Sequence, residues 1–116
     1  MIREDTLVQL IADACLEEKA SDLVILDVRD LTVLTDYFVI ASGRNFIQVK
    51  SIIENVEESL EQYGIKPTRK EGQEQGLWAV LDYNSTILHV FRQEEREYYN
   101  LDSLWGDARE VSVENQ

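Results

Sequence analysis

Ser42-Gly43 stands where a run of strand formers gives way to a helical pattern, a junction at which backbone N–H groups and the helix dipole can hold a phosphate. A nucleotidyl-transferring site would also need carboxylates close together, to hold a divalent cation and activate the attacking oxygen. The chain offers Asp27, Asp36 and Asp82 as scattered strand-end carboxylates, and its strands contain no Asp-x-Asp pair. Glu95 and Glu97 lie two apart on a helical segment, a spacing that turns their side chains away from each other. Capping and turn chemistry is therefore the simpler role for Ser42, Gly43 and Asp36. The lone histidine, His89, lies between Leu88 and Val90, where a hydrogen-bonded sheet residue is a simpler reading than a base or ligand. Cys15 falls on or beside the apolar face of the first helix and reads as a buried inert thiol. With no nucleophile–base pair and no paired Cys/His zinc site, no catalytic, cofactor-binding or metal-binding residues are assigned, and no cofactor is expected.

The elements that position these groups follow from apolar period. Thr6 to Lys19 carries Leu7, Leu10, Ile11, Ala14 and Cys15 at helical spacing, with Asp5 placed to cap the first turn. Leu23 to Val28 and Tyr37 to Ala41 are short, apolar and rich in strand formers, which predicts two interior strands. Phe46, Val49, Ile52, Ile53, Val56 and Leu60 mark one face of a second helix. Asn45 and Gln48 form a capping-box variant at its start, and Gly64 and Pro67 end it. Thr68 to Gln75 is polar and reads as an edge strand passing into a loop. Gly76 to Tyr83 and Thr86 to Phe91 flank a short turn and predict a β-hairpin. Gln93 to Asn100 reads as a third helix, and Leu101, Leu104 and Trp105 as a docked segment; Val111 to Gln116 is expected to fray. The sum is an α/β fold: a single domain, 1–108, with a mixed β-sheet packed with helices, followed by a tail, 109–116.

The hairpin strand around Trp78 is apolar on both sides. With a period of two, Leu77, Ala79, Leu81 and Tyr83 point one way while Trp78 and Val80 point the other, so each face needs a cover. One cover is the domain's own core. A Trp-bearing face that lacks an internal cover is a candidate contact with another macromolecule, because Trp is both a core residue and a frequent interface hot spot. Trp105, beside Leu104 and Gly106, reads as docked on the domain's own core.

At 116 residues, 44% apolar and 29% charged, with one Pro and a single Cys, the chain has an ordinary globular profile and needs no disulfide. Met1 to Asp5 lacks the features of a secretory signal and no apolar run reaches membrane-spanning length, which predicts a cytoplasmic protein. Eleven basic residues against 23 acidic ones, a formal charge of −12, argue against direct nucleic-acid binding, and with no apolar run of spanning length no membrane partner is expected. An acidic surface either serves solubility or steers a basic partner.

In order and without a large insertion, Leu26-Asp27-Val28-Arg29, Thr35 through Gly43, Glu71-Gly72, Trp78 through Tyr83, His89-Val90-Phe91, Glu95 through Tyr99 and Leu101 through Trp105 closely resemble the ribosomal silencing factors, or Iojap family, in their bacterial form. The resemblance implies a nucleotidyltransferase-like fold lacking the catalytic acidic residues. It also implies a non-enzymatic translational repressor. Such a protein binds the fourteenth protein of the large ribosomal subunit and blocks association with the small subunit, lowering translation under nutrient limitation or in stationary phase. The family's contact tryptophan carries over to Trp78, and Val80 and Asp82 belong to the same face. Glu94, Glu95 and Glu97 are assigned more loosely, by charge complementarity to a basic ribosomal protein. The alternatives are a nucleotide-binding or nucleotidyl-transferring enzyme of the same fold, and a homodimer pairing through the Trp78 face.

Overall fold

The apolar faces of the first two helical segments have a sheet to cover, and the computed structural model, which describes residues 4–113, shows them doing so. Helix α1 (Glu4–Glu17) buries Val8, Ile11, Ala12 and Cys15. It begins before Asp5, which therefore lies in the first turn and does not cap it; its carboxylate accepts from the Thr6 N–H at 2.9 Å. Helix α2 (Phe46–Glu61) buries Val49, Ile52, Ile53, Val56 and Leu60, while Phe46, expected on that face, stays 48% exposed. Its capping box forms with a shift of one residue. Asn45 Oδ1 accepts from the Gln48 N–H at 2.9 Å, and Gln48 Oε1 accepts in return from the Arg44 N–H at 2.7 Å.

Six strands make one mixed sheet. They are β1 (Ser21–Asp27), β2 (Tyr37–Gly43), β3 (Arg69–Glu71), β4 (Trp78–Asp82), β5 (Thr86–Arg92) and β6 (Arg109–Val111), in the order β3-β4-β5-β2-β1-β6. β2 and β5 run parallel at the centre and every other pairing is antiparallel. β2 is buried at every position, as a strand covered on both faces must be.

One face carries Ile25, Val39, Ala41, Ala79, Leu81, Leu88 and Val90 under α1 and α2. Each of the larger side chains among them, Ile25, Val39, Leu81, Leu88 and Val90, contributes about 1.5–3 kcal/mol relative to exposure. The opposite face carries Leu26, Phe38, Ile40 and Phe91. Short helices α3 (Gln93–Tyr99) and α4 (Leu101–Leu104), separated by Asn100 at φ 49°, lie toward this side, and Leu101, Trp105 and Ala108 pack on its apolar cluster.

Of the tail expected over 109–116, Arg109–Val111 is strand β6, and Ser112 and Val113 follow it without regular structure. Arg109, Glu110 and Val111 pair with Asp27, Leu26 and Ile25, because β1 would otherwise leave a row of unpaired backbone groups at the sheet edge. The expectation of fraying at Val111 is thus corrected, and 114–116 lie outside the described residues. No helix among the described residues is long and apolar enough to cross a membrane.

Candidate functional site

β4 alternates between half-buried and buried from Trp78 to Asp82, so Trp78, Val80 and Asp82 share one face while Ala79 and Leu81 enter the α1–α2 core, joined by Tyr83. The hairpin register sets Trp78 opposite Phe91, Val80 opposite His89, and Asp82 opposite Ile87. Helices α3 and α4 cover only part of this surface, and the Trp78 indole is half-buried, neither sealed nor free. Its ring lies 4.9 Å from Phe91 at 24° and 4.8 Å from Tyr99 at 44°. Tyr98 meets Tyr99 edge-on at 5.1 Å, and the two tyrosines are 82% and 52% exposed.

Below the indole, His89 continues the row. The Trp78 Nε1–H donates to His89 Nδ1 at 3.1 Å, and the imidazole meets Phe38 at 5.3 Å, which in turn meets Trp105 at 5.0 Å. Desolvation alone lowers the His89 pKa to about 4, so the ring is neutral at physiological pH. The row from Tyr98 to Trp105 is an amphipathic aromatic surface, buried at its middle in His89 and Phe38, half-buried at Trp105 and open to solvent at the tyrosines. Such a surface suits association with a protein partner.

The acidic residues assigned to the site are less available than their number suggests. Glu95 pairs with Arg92 at 2.6 Å, which holds its carboxyl below the usual range, and Glu94 reaches the same guanidinium at 3.6 Å. Glu97 is exposed. Asp82 accepts from the Asn84 N–H at 2.9 Å and lies 3.8 Å from Arg69. Arg96, between these groups in sequence, anchors α3. It donates to Ser42 Oγ at 3.0 Å and to the Asp22 carbonyl, and pairs with Asp102 at 2.9 Å.

Those bonds also occupy the Ser42 side chain at the strand–helix junction. Ser42 is 1% exposed with its hydroxyl held by Arg96, and a Cβ on Gly43 would meet Val49 Cγ2 at 3.0 Å, so the pair serves close helix–sheet packing. Asp27 is held by Arg29 and Arg109 and shares a sheet face with its cross-strand neighbour Tyr37, whereas Asp82 lies on the other face. Among the described residues no group of His, Cys, Asp or Glu is arranged to hold a metal. Trp105 packs on Phe38, as expected for a docked residue.

Sequence reasoning missed Tyr98, Tyr99 and His89 as neighbours of Trp78. His89 was within reach, since counting outward from the Tyr83-Asn84-Ser85 turn sets it opposite Val80, diagonal to Trp78. The tyrosines had no such signal, because their place depends on how α3 docks.

A family model described as "Ribosomal silencing factor during starvation" matches residues 2–116. The chain belongs to this ribosomal silencing factor family. Ribosomal silencing factor RsfS of Bacillus subtilis is 33% identical over 107 residues, covering 92% of this chain and 91% of that protein. RsfS of Halalkalibacterium halodurans is 37% identical, covering 93% and 92%. The mouse protein named mitochondrial assembly of ribosomal large subunit protein 1 is 28% identical over 87% of this chain, which spans 44% of it. A crystal structure of a Chromobacterium violaceum protein superposes with a TM-score of 0.89 at 29% identity, covering 96% of this chain and 92% of that one. The role of a ribosomal silencing factor is regulatory rather than catalytic, in keeping with a site built of aromatic rings and paired charges.

Proposed function

We propose that this protein represses translation in the cytoplasm by binding the large ribosomal subunit, through its fourteenth protein, and sterically blocking association with the small subunit under nutrient limitation or in stationary phase. The observation that carries the reading is the half-buried Trp78, set in an aromatic row that α3 and α4 leave partly open. The family's silencing role, and a mouse relative named for the large ribosomal subunit, support the choice of partner. In this reading Trp78 and Val80 form the apolar centre of the contact. Asp82, Glu94 and Glu97 lie at its rim, where exposed charges govern approach rate and orientation more than affinity. Glu95 contributes by holding Arg92 at the start of α3.

Cosedimentation with isolated large subunits, followed by addition of small subunits, tests the proposal. The protein should travel with the large subunit and reduce the yield of joined ribosomes. Trp78→Ala should weaken binding by at least ~2 kcal/mol, roughly thirtyfold, as expected of a hot-spot aromatic residue. Unchanged binding by a folded Trp78→Ala protein refutes the site. Normal subunit joining at saturating protein refutes the mechanism.

A further inference from the structure

A half-exposed indole keeps one orientation only if its neighbours restrict both side-chain torsions. The ring contacts of Trp78 with Phe91 and Tyr99 favour proximity and tolerate sliding. Its N–H bond to His89 Nδ1, at 3.1 Å, is directional, and bonds of that kind set the rotation of a ring. His89 is itself held firmly. It is 9% exposed, lies on a central strand, and packs against Phe38 and nearly parallel to Phe91 at 15°.

Accepting at Nδ1 fixes the neutral tautomer, with the proton on Nε2. That nitrogen is buried without a hydrogen-bond partner. An unpaired buried N–H is destabilising, and leucine in the same place would avoid it. The imidazole therefore looks wasteful as core filling, and what it supplies that leucine cannot is the Nδ1 lone pair.

We propose that His89 is the positioning residue of the partner interface: its Nδ1 holds the Trp78 indole at the tilt the partner requires. This rests on the reading of Trp78 as the contact residue. It also specifies the contact, since an N–H already donated within the protein leaves the partner the apolar ring to meet, and the complementary surface is aliphatic or a stacked cation rather than a hydrogen-bond acceptor.

The test compares His89→Leu, which removes the acceptor, with His89→Asn, whose Oδ1 takes the place of Nδ1 on the same Cβ–Cγ frame. His89→Phe stands in should the leucine variant fail to fold. Two quantities are read: exchange of the Trp78 indole N–H with solvent, its NMR signal assigned by loss in Trp78→Phe, and Kd for isolated large subunits. Loss of one directional bond should raise both the exchange rate and Kd about tenfold in His89→Leu, with Tm unchanged or higher, and His89→Asn should return both to within about threefold. Wild-type exchange and Kd in a folded apolar variant overturn the positioning role, as does failure of His89→Asn to restore them. Should Trp78→Ala weaken binding while His89→Leu leaves it intact, positioning alone is refuted. Should Trp78→Ala also bind normally, the interface reading falls and His89 falls with it.

Discussion

Lowering the pH from 7 to 4 should destabilise this protein through His89, ahead of any carboxylate. In the folded chain, burial holds the imidazole pKa near 4, against 6.5 for an unperturbed histidine. The stability of the neutral, buried ring is fully present above pH 6.5. As pH falls below that value the unfolded chain binds a proton that the folded chain does not, so the unfolded state gains. Below about 4 both states are protonated and the loss levels off. A gap of about 2.5 units at 1.36 kcal/mol each gives a loss of about 3 kcal/mol, of which about 2 has occurred by pH 5. That is a large share of the 5–15 kcal/mol typical of a domain. Asp27 and Glu95, whose pKa values Arg29 and Arg92 respectively hold down, lose their contribution only as pH falls through and below the ordinary carboxylate range, so the two windows separate. The assay is urea unfolding followed by circular dichroism at pH 7.5, 6.5, 5.5 and 4.5, for the wild type and His89→Leu. The wild-type free energy should fall by about 3 kcal/mol toward pH 4 and that of His89→Leu should stay nearly flat. Parallel curves would show that His89 is not the buried neutral group described.

Arg96→Met should cost about 2–3 kcal/mol in the same assay and loosen α3, because it strands Asp102 and removes donors from Ser42 and the Asp22 carbonyl. Gly72→Ala should cost more than ~2 kcal/mol and alter Trp78 emission, since a Cβ there would sit 2.0 Å from the Trp78 carbonyl oxygen on a backbone at φ +76°; Gly64→Ala, at φ +75° in open space, should cost only ~1 kcal/mol. Native Cys15, fully buried with its thiol pushed up to about 12, should react with a thiol reagent only at the rate at which the protein opens. Labelling faster than opening would place it elsewhere than the core.

What could be read from the chain by itself was whatever lies within a few neighbours. The stripe from Val49 to Leu60 announces α2, the Asn45 and Gln48 pair its start, and the alternation from Trp78 to Asp82 the two faces of β4, because period and capping depend on adjacent residues. The missing Asp-x-Asp and the direction in which Trp78 points were legible on the same grounds, whereas the pairing of Glu95 with Arg92 was not read from the chain.

Arg109–Val111 has little strand propensity of its own and pairs because β1 leaves an edge beside it. Arg96 closes on Ser42, 54 residues earlier. The aromatic row joins Phe38 of β2, Trp78 of β4, His89 and Phe91 of β5, Tyr98 and Tyr99 of α3, and Trp105 beyond α4. Apart from the hairpin pairing that sets His89 and Phe91 beside Trp78, none of these meetings has a local signature. Strand order and helix docking set which distant segments become neighbours, and so the tertiary structure decided which rings surround Trp78 and how much of it remains open.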